Sequence, residues 1–155
     1  MLIKTHLAII ALFILAFVNS IQGDLNKIIF VAVALVATAL PDIDSGLSTL
    51  GNGITGRIIQ FFVKHRGFLH SFTICVILSI ILAAFIPRLA FPFFLGYSIH
   101  LLSDSFTKEG IAIFWPMQKR SAWIFSTGGV LEKGVFYTFL VLDVLILIYL
   151  IFIPV

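Results

Sequence analysis

Charged side chains are scarce in this 155-residue chain, at 11% of residues, while hydrophobic ones make up 61%. With a mean hydropathy of +1.17, that balance excludes an ordinary soluble domain, in which about a quarter of residues are charged, and makes the bilayer part of the solvent. The ten Lys and Arg are scattered, with no stripe interleaved with stacking aromatics, which excludes nucleic acid as a partner. Cysteine is nearly absent: Cys75 stands alone in an apolar run, so no intramolecular disulfide can form, and its expected role is packing. An A-x-A-like cleavage site is missing at Phe17-Val18-Asn19-Ser20, so the apolar stretch after Lys4 reads as a retained transmembrane helix. Repeats, low-complexity tracts and linker-like composition are lacking too, and the expectation is one integral-membrane domain over 1–155.

What is present is long apolar runs. About 20 apolar residues cross a bilayer as a helix, fewer where the membrane thins or a helix end is buried in protein. Five segments qualify, at 2–20, 27–40, 69–86, 91–106 and 134–153, and they predict an all-α, polytopic transmembrane bundle of about five helices. Pro41 stops the second, because proline lacks an N–H donor and clashes with the preceding turn, and Pro87 and Pro92 bracket a reversal between the third and fourth. Alternating the spans puts Lys4, Arg57, Lys64, Arg66, Lys108, Lys119, Arg120 and Lys133 on one side and only Lys27 and Arg88 on the other. This asymmetry predicts a cytoplasmic N-terminus and an external C-terminus. The connection at 107–133 carries Trp115, Pro116 and Trp123 among apolar residues, which suits a segment at headgroup depth that roofs a site.

The same alternation gathers the ionisable residues into one layer. His6 lies a turn inside the first helix, Asp42 and Asp44 follow the second, His65 and His70 flank the start of the third, His100 and Asp104 end the fourth, and Glu132 precedes the fifth. A charge at membrane depth costs a few kcal/mol unless it pairs or lines a polar cavity, so clustering is enforced. Each piece has a bland reading: a His–Asp hydrogen bond for the i,i+4 pair His100 and Asp104, a turn and cap for Asp42 and Asp44, a polar helix contact for His6, and a solvated charge for Glu132 beside Lys133. His65 and His70, five apart, can face one centre only if the backbone changes between them, which Gly67 permits. Together these residues offer twice the ligands that one tetrahedral ion needs, so two ions bridged by a carboxylate are conceivable. Nitrogen and oxygen donors without thiolate suit zinc, manganese or iron, and zinc is the first expectation. Asp143, mid-way along the fifth helix, is read mainly as a structural hydrogen-bonding group, with a proton relay as the alternative.

At these residues the sequence resembles the membrane-bound metal-dependent hydrolase family, including the LexA-regulated inner-membrane hydrolases of bacteria. The resemblance runs over nearly the whole chain, through Thr5-His6, Leu40-Pro41-Asp42-Ile43-Asp44, His65-Arg66-Gly67-Phe68-Leu69-His70-Ser71, His100-Leu101-Leu102-Ser103-Asp104-Ser105-Phe106-Thr107, Phe114-Trp115-Pro116 and Thr127-Gly128-Gly129-Val130-Leu131-Glu132. It departs at Gly129, where the family often has serine. That family's pattern is in turn similar to the bacterial zinc-dependent phospholipase C group, an all-helical fold with a zinc cluster. The resemblance implies His6, Asp42, Asp44, His65, His70, His100 and Asp104 as ligands, and Glu132 as ligand or base.

The expected function is a membrane-embedded metal-dependent hydrolase that cleaves phosphoester bonds of lipid or lipid-linked substrates with a metal-activated water. Glu132, Asp42 or Asp44 takes the proton in this expectation, and Arg66 holds an anionic group, with Lys64 or Arg120 in support. Rival expectations are a metal-ion or proton transporter, a non-catalytic membrane scaffold with a structural metal, and a haem-binding electron carrier. The transporter reading needs polar residues through the outer half of the bilayer, where few occur beyond Asp143.

Overall fold

The computed structural model describes residues 1–42, 68–117 and 119–152. Asp44, His65 and Arg66, with Arg57, Lys64 and Gly67, lie outside the described residues. The described chain is mostly helical: α1 (Ile3–Val18), α2 (Asp24–Ala39) with a 3₁₀ turn at Leu40–Asp42, α3 (Phe72–Phe85), α4 (Pro87–Ser105) and α5 (Val130–Phe152). Among the described residues, two helical stretches are long and apolar enough to cross a membrane, Asp24–Asp42 and Val130–Phe152, while Ile3–Val18 and Phe72–Phe85 are shorter apolar helices.

Local chemistry sets the boundaries. Gly23 precedes α2 at φ +82°, a left-handed conformation that glycine adopts without a Cβ penalty. Asp24 then sits in the first turn of α2, where the exposed N–H groups favour a negative charge, so this helix starts ahead of the position 27 expected from hydropathy. Ser71 caps α3, its hydroxyl accepting from Ile74 N at 3.4 Å. The expected reversal at 87–90 is instead helical: Pro87 occupies the first turn of α4, where the missing N–H would have had no partner, and Ile86 alone separates α3 from α4. Helix α5 likewise begins at Val130, not 134, and so carries Glu132 in its first turn.

Helix α4 is central. It packs against α2 on one side and α3 on another, while α1 packs against α2 and along α5. The α2–α4 contact is close because Gly96 has no side chain: a Cβ there would run into the backbone carbonyl of Ala34. Thr38 Oγ1 reinforces it, donating to Ala34 O at 2.8 Å and lying 3.3 Å from Gly96 O, an arrangement in which small residues let helix backbones approach. One apolar core joins Ile10, Ile14, Phe30, Ala34 and Ile99 across α1, α2 and α4. A second joins Ala37, Cys75, Tyr97, Leu101 and Ile111, so Cys75 is a buried packing residue.

The connection after α4 is not wholly irregular. Ile111–Ala112 (β1) and Arg120–Ser121 (β2) pair antiparallel, with Ile111 opposite Ser121 and Ala112 opposite Arg120. Strands of two residues leave no readable alternation in the sequence. Phe72 N donates to Ile113 O at 2.8 Å and Thr73 Oγ1 to Trp115 O at 2.9 Å, which ties this hairpin to the start of α3. Its other side presents Phe114, Trp115, Met117, Trp123 and Ile124 outward.

Candidate metal centre

Four ionisable side chains from three parts of the chain converge where α2 and α4 end and α3 begins. Asp42 closes the 3₁₀ turn after α2, His70 immediately precedes the Ser71 cap of α3, and His100 and Asp104 lie one turn apart on α4. One donor atom from each falls within 4.8 Å of every other. His70 Nε2 is 3.3 Å from Asp42 Oδ1 and 4.0 Å from Asp104 Oδ2, and His100 Nε2 is 3.7 Å from each of the same two oxygens. Bonds of zinc to nitrogen and oxygen at tetrahedral angles put donor atoms about 3.3–3.6 Å apart, so these separations suit a single ion with little movement.

His6, from α1, stands outside these four but directly beside them. Its ring stacks on that of His100, with centroids 4.0 Å apart and planes 17° from parallel, and its Nε2 is 3.3 Å from Asp104 Oδ1. Asp104 is therefore two-sided: Oδ2 faces His70 and His100, while Oδ1 faces His6 and pairs with the amino group of Met1.

Burial makes the donor set informative. His6, His70 and His100 are fully buried and Asp104 is nearly so, whereas the Asp42 side chain keeps 32% of its surface exposed. Among the described residues, neither ring nitrogen of His6 or of His100 has a hydrogen-bond partner of good geometry. An imidazole nitrogen removed from water without a partner costs about 1–3 kcal/mol, and coordination to a cation would offset that cost. The residues present therefore fit a divalent metal ion, with the exposed edge at Asp42 as its opening.

Two supports hold the group. The Tyr97 hydroxyl donates to Leu69 O at 2.5 Å, fixing the turn that carries His70 from a position one turn before His100. Sequence reasoning passed over Tyr97; its signal was a hydroxyl three residues before His100, on the same helical face. Glu132 stands outside the four-residue group and is buried, its Oε1 accepting from Leu2 N at 2.6 Å and Thr5 Oγ1 at 2.9 Å and its Oε2 from Gly128 N at 2.6 Å. It thus joins α5 and the turn at Gly128 to the first turn of α1, next to His6. Asp143 lies apart in α5, with no hydrogen-bond partner for Oδ1 among the described residues.

The YdjM inner membrane protein family matches residues 1–154, essentially the whole chain including every residue of the centre. The chain belongs to the YdjM inner membrane protein family. Inner membrane protein YdjM of Escherichia coli (strain K12) is 32% identical over 111 residues, covering 64% of this chain and 54% of that protein, and the Shigella flexneri protein of the same name gives the same values. Uncharacterized protein YvsG of Bacillus subtilis (strain 168) is 26% identical over 95 residues, 59% of each chain. The chain thus spans little more than half the length of these YdjM relatives. No solved structure matches. Membership of the family makes this an inner membrane protein, and the geometry gives it a histidine and aspartate cluster able to bind a metal ion.

Proposed function

We propose that this YdjM-family chain is a membrane-embedded, metal-dependent hydrolase acting on phosphoester bonds of lipid or lipid-linked substrates. The observation that carries the reading is the convergence of Asp42, His70, His100 and Asp104 within 4.8 Å, with buried imidazole nitrogens on His6 and His100 that make no well-formed hydrogen bond among the described residues. In this reading the five helices all span the bilayer, the N-terminus is cytoplasmic, and the cluster lies at the depth of the inner-leaflet headgroups. The resemblance to membrane-bound metal-dependent hydrolases and, more distantly, to zinc-dependent phospholipase C supports hydrolysis, and nitrogen and oxygen donors support zinc.

His70, His100, Asp42 and Asp104 would hold one ion, and His6 with the second oxygen of Asp104 would contribute to a neighbouring one. Bound there, a divalent ion would supply Lewis acidity and would bring the pKa of a coordinated water toward neutrality. The chain's own groups supply the rest. Glu132 has three donors on its oxygens, so it serves chiefly to hold α1, and Asp44, or Asp42 at the exposed edge, accepts the proton of the attacking water. Arg66 pairs with the phosphate of the substrate, because guanidinium matches two phosphate oxygens.

Elemental analysis of purified protein, with hydrolysis of a chromogenic phosphodiester and of phospholipid vesicles, tests the proposal. One to two equivalents of zinc are expected; His100→Ala and Asp104→Asn lose both metal and hydrolysis, and His6→Ala loses part of the metal. Full hydrolysis by a chelator-stripped, metal-free preparation would sink it. A second reading, a structural metal in a non-catalytic scaffold, is favoured by a donor set that could close a tetrahedron by itself. Bound zinc without hydrolysis of any phosphoester would select it.

A further inference from the structure

The end of the bundle opposite the metal centre has its own built features. A cavity of about 340 Å³ lies where the turn between α1 and α2 meets the start of α4, and its polar lining is Ser20, Gln22, Asn26 and Arg88, with Phe30 and Phe91 at its side. That volume is in the range of small-ligand pockets. A second cavity, also about 340 Å³ and almost wholly apolar, follows the outer side of the α3–α4 hairpin between Val76, Ile80 and Ala83 and the facing Ala90, Phe91 and Phe94. Phe91 lines both, so the polar pocket and the apolar groove flank the same residue.

We propose that these two cavities together bind one anionic phospholipid, its phosphate on Arg88 and an acyl chain in the α3–α4 groove. The site lies on the membrane surface remote from the metal centre. Arg88 is exposed and makes no ion pair among the described residues, so its charge is available to a phosphate, which guanidinium binds through two parallel hydrogen bonds. Small side chains line the groove on both sides of Ile86, Ala83 on α3 and Ala90 on α4. It is also dry: Ser79, the one hydroxyl lining it, is satisfied internally by donating to Cys75 O at 2.7 Å. A polar pocket holding a cation at one end of an apolar track matches the division of a phospholipid into headgroup and chain. A partner helix would fit the track, but it would need a carboxylate at its end to meet Arg88.

The inference rests on reading α1 to α4 as membrane-embedded, and it is independent of the chemistry at the metal centre. Native mass spectrometry of the full chain in detergent, with phosphatidylglycerol and phosphatidylcholine of matched chains added together, tests it. One phosphatidylglycerol per chain is expected to be retained over phosphatidylcholine by about fivefold, the scale of one basic residue acting on an anionic headgroup. Arg88→Gln should bring the two lipids to parity. Ala90→Phe, which fills the groove, should lose retention with Arg88 still present, circular dichroism reporting intact helices in both variants. Equal retention of the two lipids by the parent, or undiminished preference in Arg88→Gln, would overturn the proposal. So would an Ala90→Phe variant that keeps phosphatidylglycerol, or displacement of the lipid by millimolar inorganic phosphate, which would mark a free-anion site. Zinc content measured in the same samples should be unchanged in both variants, so loss of lipid and loss of metal are read separately. A parent that remains in solution without detergent would overturn the membrane reading itself.

Discussion

At the scale of the residue, Gly96 shows how little material separates a working centre from a displaced one. A methyl group there meets the Ala34 carbonyl, which is backbone and cannot rotate away, so α2 and α4 must part. Asp42 lies at the end of the α2 segment and His100 one turn beyond Gly96 on α4, so the same displacement separates two members of the cluster. Gly96→Ala should cost about 1–3 kcal/mol, the range for overpacking a tight contact, read as a lowered midpoint of detergent-induced unfolding. It should also weaken zinc retention during dialysis against a chelator, although no donor atom has been touched. An unchanged unfolding midpoint would mean that the helices are not in the close contact described.

At the scale of the element, the issue is how α1 is aimed. A helix alone does not fix its rotation, and His6 faces Asp104 because the first turn of α1 is tied down at Leu2 and Thr5 by one carboxylate on α5. Glu132→Ala strands three donors, two of them backbone N–H groups, and an unsatisfied buried donor costs about 1–3 kcal/mol. Glu132→Gln keeps one oxygen for Leu2 and Thr5 but turns an amide N–H₂ toward Gly128 or reverses that arrangement, so its loss should be smaller. The expected result is a graded fall in stability and in metal content, Ala below Gln below parent, with hydrolysis falling in step with metal. Full zinc content with abolished hydrolysis in Glu132→Gln would instead make Glu132 the proton acceptor.

At the scale of the whole molecule, the distribution of basic residues becomes a topology. Under the proposed alternation of five spans, eight Lys and Arg share one side and two the other, and the positive-inside bias would then put the cluster toward the cytoplasm. In spheroplasts, a cysteine at Lys27 should react with a membrane-impermeant maleimide, whereas one at Lys133 should react only after lysis, with buried Cys75 silent in both. The reverse pattern would place the centre outside and remove the cytoplasmic leaflet as its source of substrate. The outward-facing Phe114, Trp115, Met117, Trp123 and Ile124 of the hairpin segment suit headgroup depth in either orientation.

The helical content and the pairing of His100 with Asp104 were legible in the chain itself, because hydropathy marks the apolar segments and a 3.6-residue period sets which side chains share a face. Membership of the cluster was only partly legible. Spacing placed His6 and Glu132 in one layer with the others, but depth is a single coordinate, and rotation about each helix axis decides what meets what. Only the packed fold showed that His6 stacks on His100 while Glu132 turns to Leu2, Thr5 and Gly128. The helix start at Pro87, the Tyr97 strut and the paired cavities around Phe91 were illegible for the same reason. Each depends on which face of one helix meets another, and that is set by contacts such as Gly96 on Ala34, distant in sequence and formed only when the bundle closes.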